Sequence, residues 1–139
     1  MKDTNCIFCK IANGEIPSFT IYEDDKFRVI FDLSPATKGH SIILPKDHFK
    51  NVFELSDEYA KEVMLVAKKV ASAMKEVLNC DGLNILQNNE EVAGQTVFHF
   101  HMHLIPRYKD DGLKLSWITG ELDKNVASQL AAAIKEKIS

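Results

Sequence analysis

The sequence predicts an α+β fold: an antiparallel sheet of about five strands with one long helix packed on it, plus short helices near the N-terminus and the C-terminus. Three observations predict it. Residues 97–105, Val-Phe-His-Phe-His-Met-His-Leu-Ile, alternate strictly between imidazole and large apolar side chains. Such alternation is the mark of a strand, whose successive side chains point to opposite faces. Residues 57–78 carry apolar side chains at a 3.6-residue period for about six turns. Four further short runs, 20–23, 26–32, 40–45 and 83–88, are rich in aromatic and β-branched residues and are bounded by Gly, Pro, Asn and Asp.

Taken in order, Ile7, Phe8 and Ile11 have helical spacing and Gly14 can end a helix, so 7–13 is expected to be a short helix. Residues 20–23 and 26–32 flank Asp24-Asp25 and read as a hairpin. Ser34-Pro35-Ala36-Thr37-Lys38-Gly39 is a loop, and the strand 40–45 stops at Pro45. Ser56 is the expected N-cap of the long helix, with Asp57 and Glu58 at its positive end. Asn79-Cys80-Asp81-Gly82 breaks that helix, and 83–88 alternates as a strand. The polar loop 89–96 leads into the histidine strand, on which Phe98, Phe100, Met102 and Leu104 are expected to face the core. After Pro106-Arg107 the segment 108–120 is irregular and holds Trp117, the one tryptophan. Leu122, Val126, Leu130 and Ile134 mark a final helix to about residue 138.

The 139 residues suit one domain, with a core over about 6–107 and a C-terminal segment over 108–139. A net charge of −3 with no basic stripe argues against a nucleic-acid polymer as partner. No run approaches the roughly 20 apolar residues of a membrane span, and Met1-Lys2-Asp3-Thr4-Asn5-Cys6 lacks an apolar signal core. Three cysteines, two of them in a Cys-x-x-Cys, fit a reducing compartment, so the expected location is the cytoplasm.

Three constellations carry chemistry. Cys6 and Cys9 make half of a closed tetrahedral site, and His48 and His99 are the imidazoles available to complete it. Two thiolates and two neutral imidazoles around Zn²⁺ leave no net charge. The expected role is structural, tying the N-terminus to the sheet, since four protein ligands leave no open position. The competing readings are two small core thiols or a redox pair. The second constellation is the row His99, His101 and His103. A neutral imidazole is a nucleophile near pH 7. His101, flanked on both sides, is the expected nucleophile toward phosphorus, with its other ring nitrogen held by a backbone carbonyl. His103 is expected at the phosphate or the leaving group. The third is the loop before the strand. There Gly94 permits close approach, Gln95 and Thr96 offer donors to phosphate oxygens, and Asn88 lies one loop-length upstream.

These residues resemble the histidine triad (HIT) superfamily, whose pattern His-φ-His-φ-His-φ-φ is matched by residues 99–105 without exception. Cys6-Ile7-Phe8-Cys9 with Gly14-Glu15-Ile16-Pro17, then Phe31-Asp32-Leu33-Ser34-Pro35, Lys38-Gly39-His40 and Pro45-Lys46-Asp47-His48, resemble the Hint-like branch. Leu104-Ile105-Pro106-Arg107 is as similar to the Fhit-like branch. The resemblance implies an antiparallel sheet under a long helix, a homodimer with a continuous sheet, and purine nucleotide substrates such as adenosine 5′-phosphoramidates. Those would be cleaved at the α-phosphate through a nucleotidyl-histidine on His101. It also implies that Asp32 binds the ribose hydroxyls and that Phe31 and Leu33 flank the base. Asn88, Gly94, Gln95, Thr96 and His103 would serve the phosphate, and His40 would support the histidine row. Zinc would sit on Cys6, Cys9, His48 and His99. Trp117 is a candidate contact for the leaving group. The alternatives are a dinucleoside polyphosphate hydrolase, a purine-nucleotide-binding regulatory module with vestigial catalysis, and a metal-centred enzyme built on the His-x-His strand.

Overall fold

The computed structural model describes residues 1–138. The chain runs α1 (Ile7–Ala12), β1 (Thr20–Glu23), β2 (Phe27–Phe31), β3 (Ser41–Pro45), α2 (Asp57–Leu78), β4 (Gly82–Leu86), β5 (Met102–Arg107) and α3 (Lys124–Ile138), with a single 3-10 turn at Glu91–Ala93. The five strands form one antiparallel sheet in the order β1-β2-β3-β5-β4. The predicted α+β class and strand count are what the structure has.

Local chemistry sets the elements where the sequence places them. Asp24 Oδ1 accepts from the N–H groups of Lys26 and Phe27, both at 2.8 Å, and closes the β1–β2 turn. Ser56 caps α2 by accepting from the Tyr59 N–H. Asn79 ends α2 in the left-handed region, at φ 50° and ψ 41°.

The two faces of the sheet have different covers. Phe27, Val29, Ile43, Phe100, Met102 and Leu104 pack under the α2 stripe Tyr59, Val63, Val66, Ala67, Val70 and Met74. Ile30, Ile42 and Leu44, one residue out of phase, pack on the opposite face under Ala12, Phe8 and Ile11 of α1. β3 is therefore buried on both sides. The short helix α1 leaves part of this second face uncovered, and the candidate site lies there.

The histidine segment departs from expectation. The ladder of β5 begins only at Met102, so His99 and His101 precede the strand and His103 alone lies in it. The reason is Pro45. Continuing the β3–β5 register from Ile43↔Met102 would set Pro45 against Phe100, and proline has no N–H for the ladder. The Phe100 N–H bonds the Phe49 carbonyl instead, at 2.6 Å. The inside-outside alternation survives at Phe100, Met102 and Leu104 but fails at Phe98, which is 42% exposed rather than in the core. Phe98 lies instead under the Lys50 ammonium, 5.5 Å from the ring centroid.

Candidate functional site

The first cluster joins α1 to the histidine segment. Cys6 Sγ and Cys9 Sγ each lie 3.4 Å from His99 Nδ1, Cys9 Sγ lies 3.4 Å from His48 Nδ1, and the two Nδ1 atoms are 3.2 Å apart. These are close to the edges of a tetrahedron around zinc, since Zn–S of about 2.3 Å and Zn–N of about 2.0–2.1 Å imply S–N edges near 3.5 Å and N–N edges near 3.3 Å. The donor set fits the ion in two further ways. His99 Nε2–H donates to the Pro45 carbonyl at 2.9 Å, which leaves the Nδ1 lone pair facing the sulfurs. The backbone N–H groups of Asp3 and Cys9 donate to Cys9 Sγ and Cys6 Sγ, both at 3.4 Å, as suits thiolates.

The second cluster is a chain of hydrogen bonds that assigns every tautomer. His101 Nδ1–H donates to the His99 carbonyl at 2.7 Å, so Nε2 keeps its lone pair. The Ala36 N–H donates to His40 Nδ1 at 2.9 Å, which puts the His40 proton on Nε2. That proton is donated to His103 Nδ1, 2.9 Å away, and the His103 proton must then sit on Nε2. One imidazole thus presents a bare nitrogen and its neighbour, with ring centroids 5.0 Å apart, presents an N–H. Two neighbouring neutral imidazoles can therefore offer a lone pair and an N–H donor at the same pH.

Burial makes the neutral forms persist. It pushes His103 down to about 4, with the nearby His101 and His40 rings adding to the shift and Asp32 opposing it. Burial also lowers His40, again against Asp32, whose Oδ2 is 3.7 Å from His40 Nε2. In the unfolded chain both titrate near 6.5. Protons therefore bind the unfolded state first as pH falls, and this part of the stability is intact above about pH 6.5 and lost progressively toward pH 4. For His103 the loss is on the order of 2–3 kcal/mol. Urea unfolding at pH 7 and pH 4.5 checks this, and wild type should lose more than a His103→Gln variant over the same interval.

A cavity of about 330 Å³ gathers Asp32, His40, Asn88, Gly94, Thr96, His101 and His103, a size within the roughly 300–1,000 Å³ of small-molecule sites. Gly94 has φ 96°, and a Cβ there would meet Asn88 Nδ2 at 3.3 Å, so glycine lets the loop fold against Asn88. A second cavity of about 530 Å³, lined by Phe31, Leu33, Phe19 and Ile16, adjoins the first through Phe8, Asp32 and Ile42.

Of the predicted residues, Gln95 is placed elsewhere. It is 2% exposed and does not line the cavity. Its Nε2 donates to the Lys50 and Val97 carbonyls at 2.7 and 3.1 Å, and its Oε1 accepts from the Glu90 N–H at 2.8 Å. Gln95 braces the loop from behind. Gln95→Ala is expected to lower stability by about 2–3 kcal/mol in urea unfolding, because it strands buried backbone groups. Trp117 is 84% exposed and lies outside this cavity. Sequence reasoning missed Phe8, whose ring meets the His101 ring edge-on at 5.0 Å. The signal was available: a helix whose cysteines meet His99 must also lie beside His101, two residues on. It also missed Leu86, Leu113 and Leu115, which line the same cavity.

A sequence model of one family, the HIT domain, matches residues 13–110. The Saccharomyces cerevisiae protein "Adenosine 5'-monophosphoramidase HNT1" is 39% identical over 137 residues, spanning 98% of this chain and 84% of its own length. Among solved structures, SMU.412c from Streptococcus mutans UA159 superposes with a TM-score of 0.94 at 41% identity, covering 99% of this chain and 88% of that one. A "ZN-bound histidine triad family protein" from Mycobacterium smegmatis superposes at 0.75 with 33% identity, covering 97% and 98%.

Proposed function

Because the chain belongs to the HIT family, we propose that it is a nucleotide hydrolase or transferase acting at the α-phosphate of adenosine 5′-phosphoramidates and related AMP esters and anhydrides. The observation that carries the reading is His101: its Nδ1 is tied to the His99 carbonyl, and it lines one cavity with Asp32, Asn88, Thr96 and His103. The Saccharomyces cerevisiae relative, an adenosine 5′-monophosphoramidase by name, supports the substrate class.

In this reading Asp32 accepts from the ribose hydroxyls, and Phe31, Leu33 and Phe8 sandwich the base in the adjoining cavity. Thr96, Asn88 and the Gly94 backbone hold the phosphate oxygens. The His101 Nε2 lone pair attacks phosphorus and the P–N bond to the leaving group breaks. The departing amine nitrogen accepts a hydrogen bond from His103 Nε2–H and takes its proton from solvent, so His103 stays neutral. Water then attacks the adenylyl-histidine, gives up one proton to solvent and releases AMP, which restores His101. His40 keeps His103 in its donating tautomer. Gln95 acts by fixing the loop that carries Gly94 and Thr96.

Cys6, Cys9, His48 and His99 would hold zinc, which when bound supplies a structural crosslink between α1 and the sheet. The chain is taken to act as one domain over 1–139 and to pair as a homodimer. Support for the pairing comes from the outer edge of β4, which has no strand beside it among the described residues, and from exposed Met64, Leu65 and Val77 on α2. Free Cys6, Cys9 and Cys80 agree with a cytoplasmic location. Among the described residues no helix is long and apolar enough to cross a membrane.

The test is rapid mixing with adenosine 5′-phosphoramidate, an alkaline quench and intact-protein mass spectrometry. An adenylyl adduct that maps to His101 supports the reading. AMP release no faster than from a His101→Ala variant, with no adduct, would replace it with the nucleotide-binding module.

A further inference from the structure

The loop between β2 and β3 is exposed at every residue from 33 to 38 but one. The exception is Thr37, 8% exposed, whose hydroxyl donates to the Pro106 carbonyl at 2.6 Å. A hydroxyl taken from water costs free energy unless it is bonded, so this carbonyl fixes where Thr37 sits. The two meet where the sheet ladder has stopped. β3 and β5 pair as far as Ser41↔Leu104, and two more steps would set Gly39 against Pro106. Gly39 instead turns the chain away at φ 89°. Thr37 thus fastens the loop to β5 three residues beyond His103.

The same residue sets up His40. The Thr37 carbonyl accepts from the His40 N–H at 3.1 Å, and the His40 carbonyl accepts from the Asp32 N–H at 2.9 Å. Inside the turn so closed, the Ala36 N–H reaches His40 Nδ1. Ala36 is exposed and has only a methyl group with which to hold itself. The aim of its N–H therefore depends on the buried residue beside it.

That N–H discriminates between two proton arrangements of the His40–His103 pair. In the arrangement described above, His40 Nε2–H donates to His103 Nδ1, and His103 keeps its proton on Nε2. In the reverse arrangement His103 Nδ1–H donates to His40 Nε2, and the His40 proton sits on Nδ1. Both keep the 2.9 Å bond between the rings. The reverse one sets His40 Nδ1–H against the Ala36 N–H, donor to donor, with the nitrogens 2.9 Å apart. It also leaves a lone pair on His103 Nε2, where the departing nitrogen needs a hydrogen-bond donor. Asp32 Oδ2 favours a proton on His40 Nε2 as well, but at 3.7 Å it is outside hydrogen-bonding distance.

We propose that Thr37 is a positioning residue for the reaction. By fastening the loop to Pro106 it aims the Ala36 N–H at His40 and excludes the reverse proton arrangement of the His40–His103 pair. The inference rests on the function proposed above and deepens it.

The experiment reads the tautomers directly, by long-range ¹H–¹⁵N correlation of the imidazoles at pH 7.5 without substrate, with His103 assigned from a His103→Gln variant. The variants are Thr37→Val, which keeps the shape and removes the hydroxyl, Thr37→Ala, Thr37→Ser, which restores the hydroxyl, and Tyr108→Phe. Tyr108 Oη–H donates to the Lys38 carbonyl at 2.8 Å, so its loss removes a different tether of the same loop. Thermal unfolding shows which variants are folded. Wild type is expected to carry the His103 proton on Nε2. Thr37→Val and Thr37→Ala are expected to shift the His103 nitrogens toward a mixture of tautomers. The kcat for adenosine 5′-phosphoramidate should fall with them by about fivefold to tenfold, the scale of one hydrogen bond. KM should change less, because Asp32 and the nucleoside cavity are untouched. Thr37→Ser should restore both readouts, and Tyr108→Phe should leave the tautomers as in wild type. A wild type whose His103 is protonated on Nδ1, or a folded Thr37→Val or Thr37→Ala with wild-type tautomers, overturns the inference and leaves the phosphoramidase reading standing. An equal shift in Tyr108→Phe also overturns it, since any tether of the loop would then serve. No AMP from the wild type overturns the functional reading, and the catalytic part of this inference with it, whatever the tautomers show.

Discussion

Replacing His101 with alanine is expected to abolish the adenylyl adduct and to cut AMP release from adenosine 5′-phosphoramidate by at least about a thousandfold. Removing the nucleophile of a covalent mechanism leaves only what binding and electrostatic stabilisation supply. The structure gives no second nitrogen to take over. His103 Nδ1 is engaged by His40, and its Nε2 carries the proton. His99 has both ring nitrogens committed, one to the Pro45 carbonyl and one among the cysteines and His48. Nucleotide binding should persist in the variant, because Asp32, Asn88 and Thr96 are untouched. Single-turnover kinetics and equilibrium binding of AMP separate the two. A variant that retains more than about a tenth of wild-type turnover would remove His101 from the chemistry.

Removing metal is the second large effect. Chelation, or Cys9→Ala, is expected to lower the thermal midpoint by on the order of 10 °C or more, followed by calorimetry alongside elemental analysis of the purified protein. A ligand that binds only the folded state stabilises it by about 2.7 kcal/mol at a hundred times Kd, and structural zinc commonly contributes more. α1 has only six residues and meets the sheet through a small apolar patch of Phe8, Ile11 and Ala12 and an Asn13–Lys46 hydrogen bond, so the metal ligands would add a large share of its anchorage. Because Phe8 also borders both cavities, loosening α1 should raise KM more than it lowers kcat. A protein that purifies without metal and unfolds at the same temperature with or without chelator would refute the site. A rate that follows bound metal one for one would point to the metal-centred alternative.

Much of this was legible in the chain. The apolar period of α2, its Ser56 and Asn79 caps and the short strand runs required no knowledge of contacts, because amphipathic spacing follows from helix and strand geometry alone. The same holds for the histidine row, whose imidazoles are poor packing material and so advertise chemistry, and for the Cys-x-x-Cys, whose spacing suits a metal ion. Two-residue spacing told which face His99, His101 and His103 share. It did not tell their fates apart, since a period reports direction and not the partner that waits there.

Those fates depend on long-range packing. α1 docks its cysteines against His99, and Pro45 both ends the ladder and accepts the His99 Nε2–H hydrogen bond. Residue His40, 63 positions from His103, selects the tautomer of His103. Gln95 shows the limit most clearly. Its place in a polar loop beside the histidines suggested a phosphate ligand, yet the Lys50 carbonyl, 45 residues away in sequence, draws its amide into the interior. The leucines of the C-terminal segment were unreadable for the same reason. Leu113 and Leu115 follow no period, and they come to line the cavity where Arg107 holds Asp111 through two nitrogens, at 2.8 and 3.1 Å. Local patterning is encoded by covalent geometry and by the preference of apolar groups for burial. The use of a loop side chain depends on which backbone group tertiary folding sets beside it.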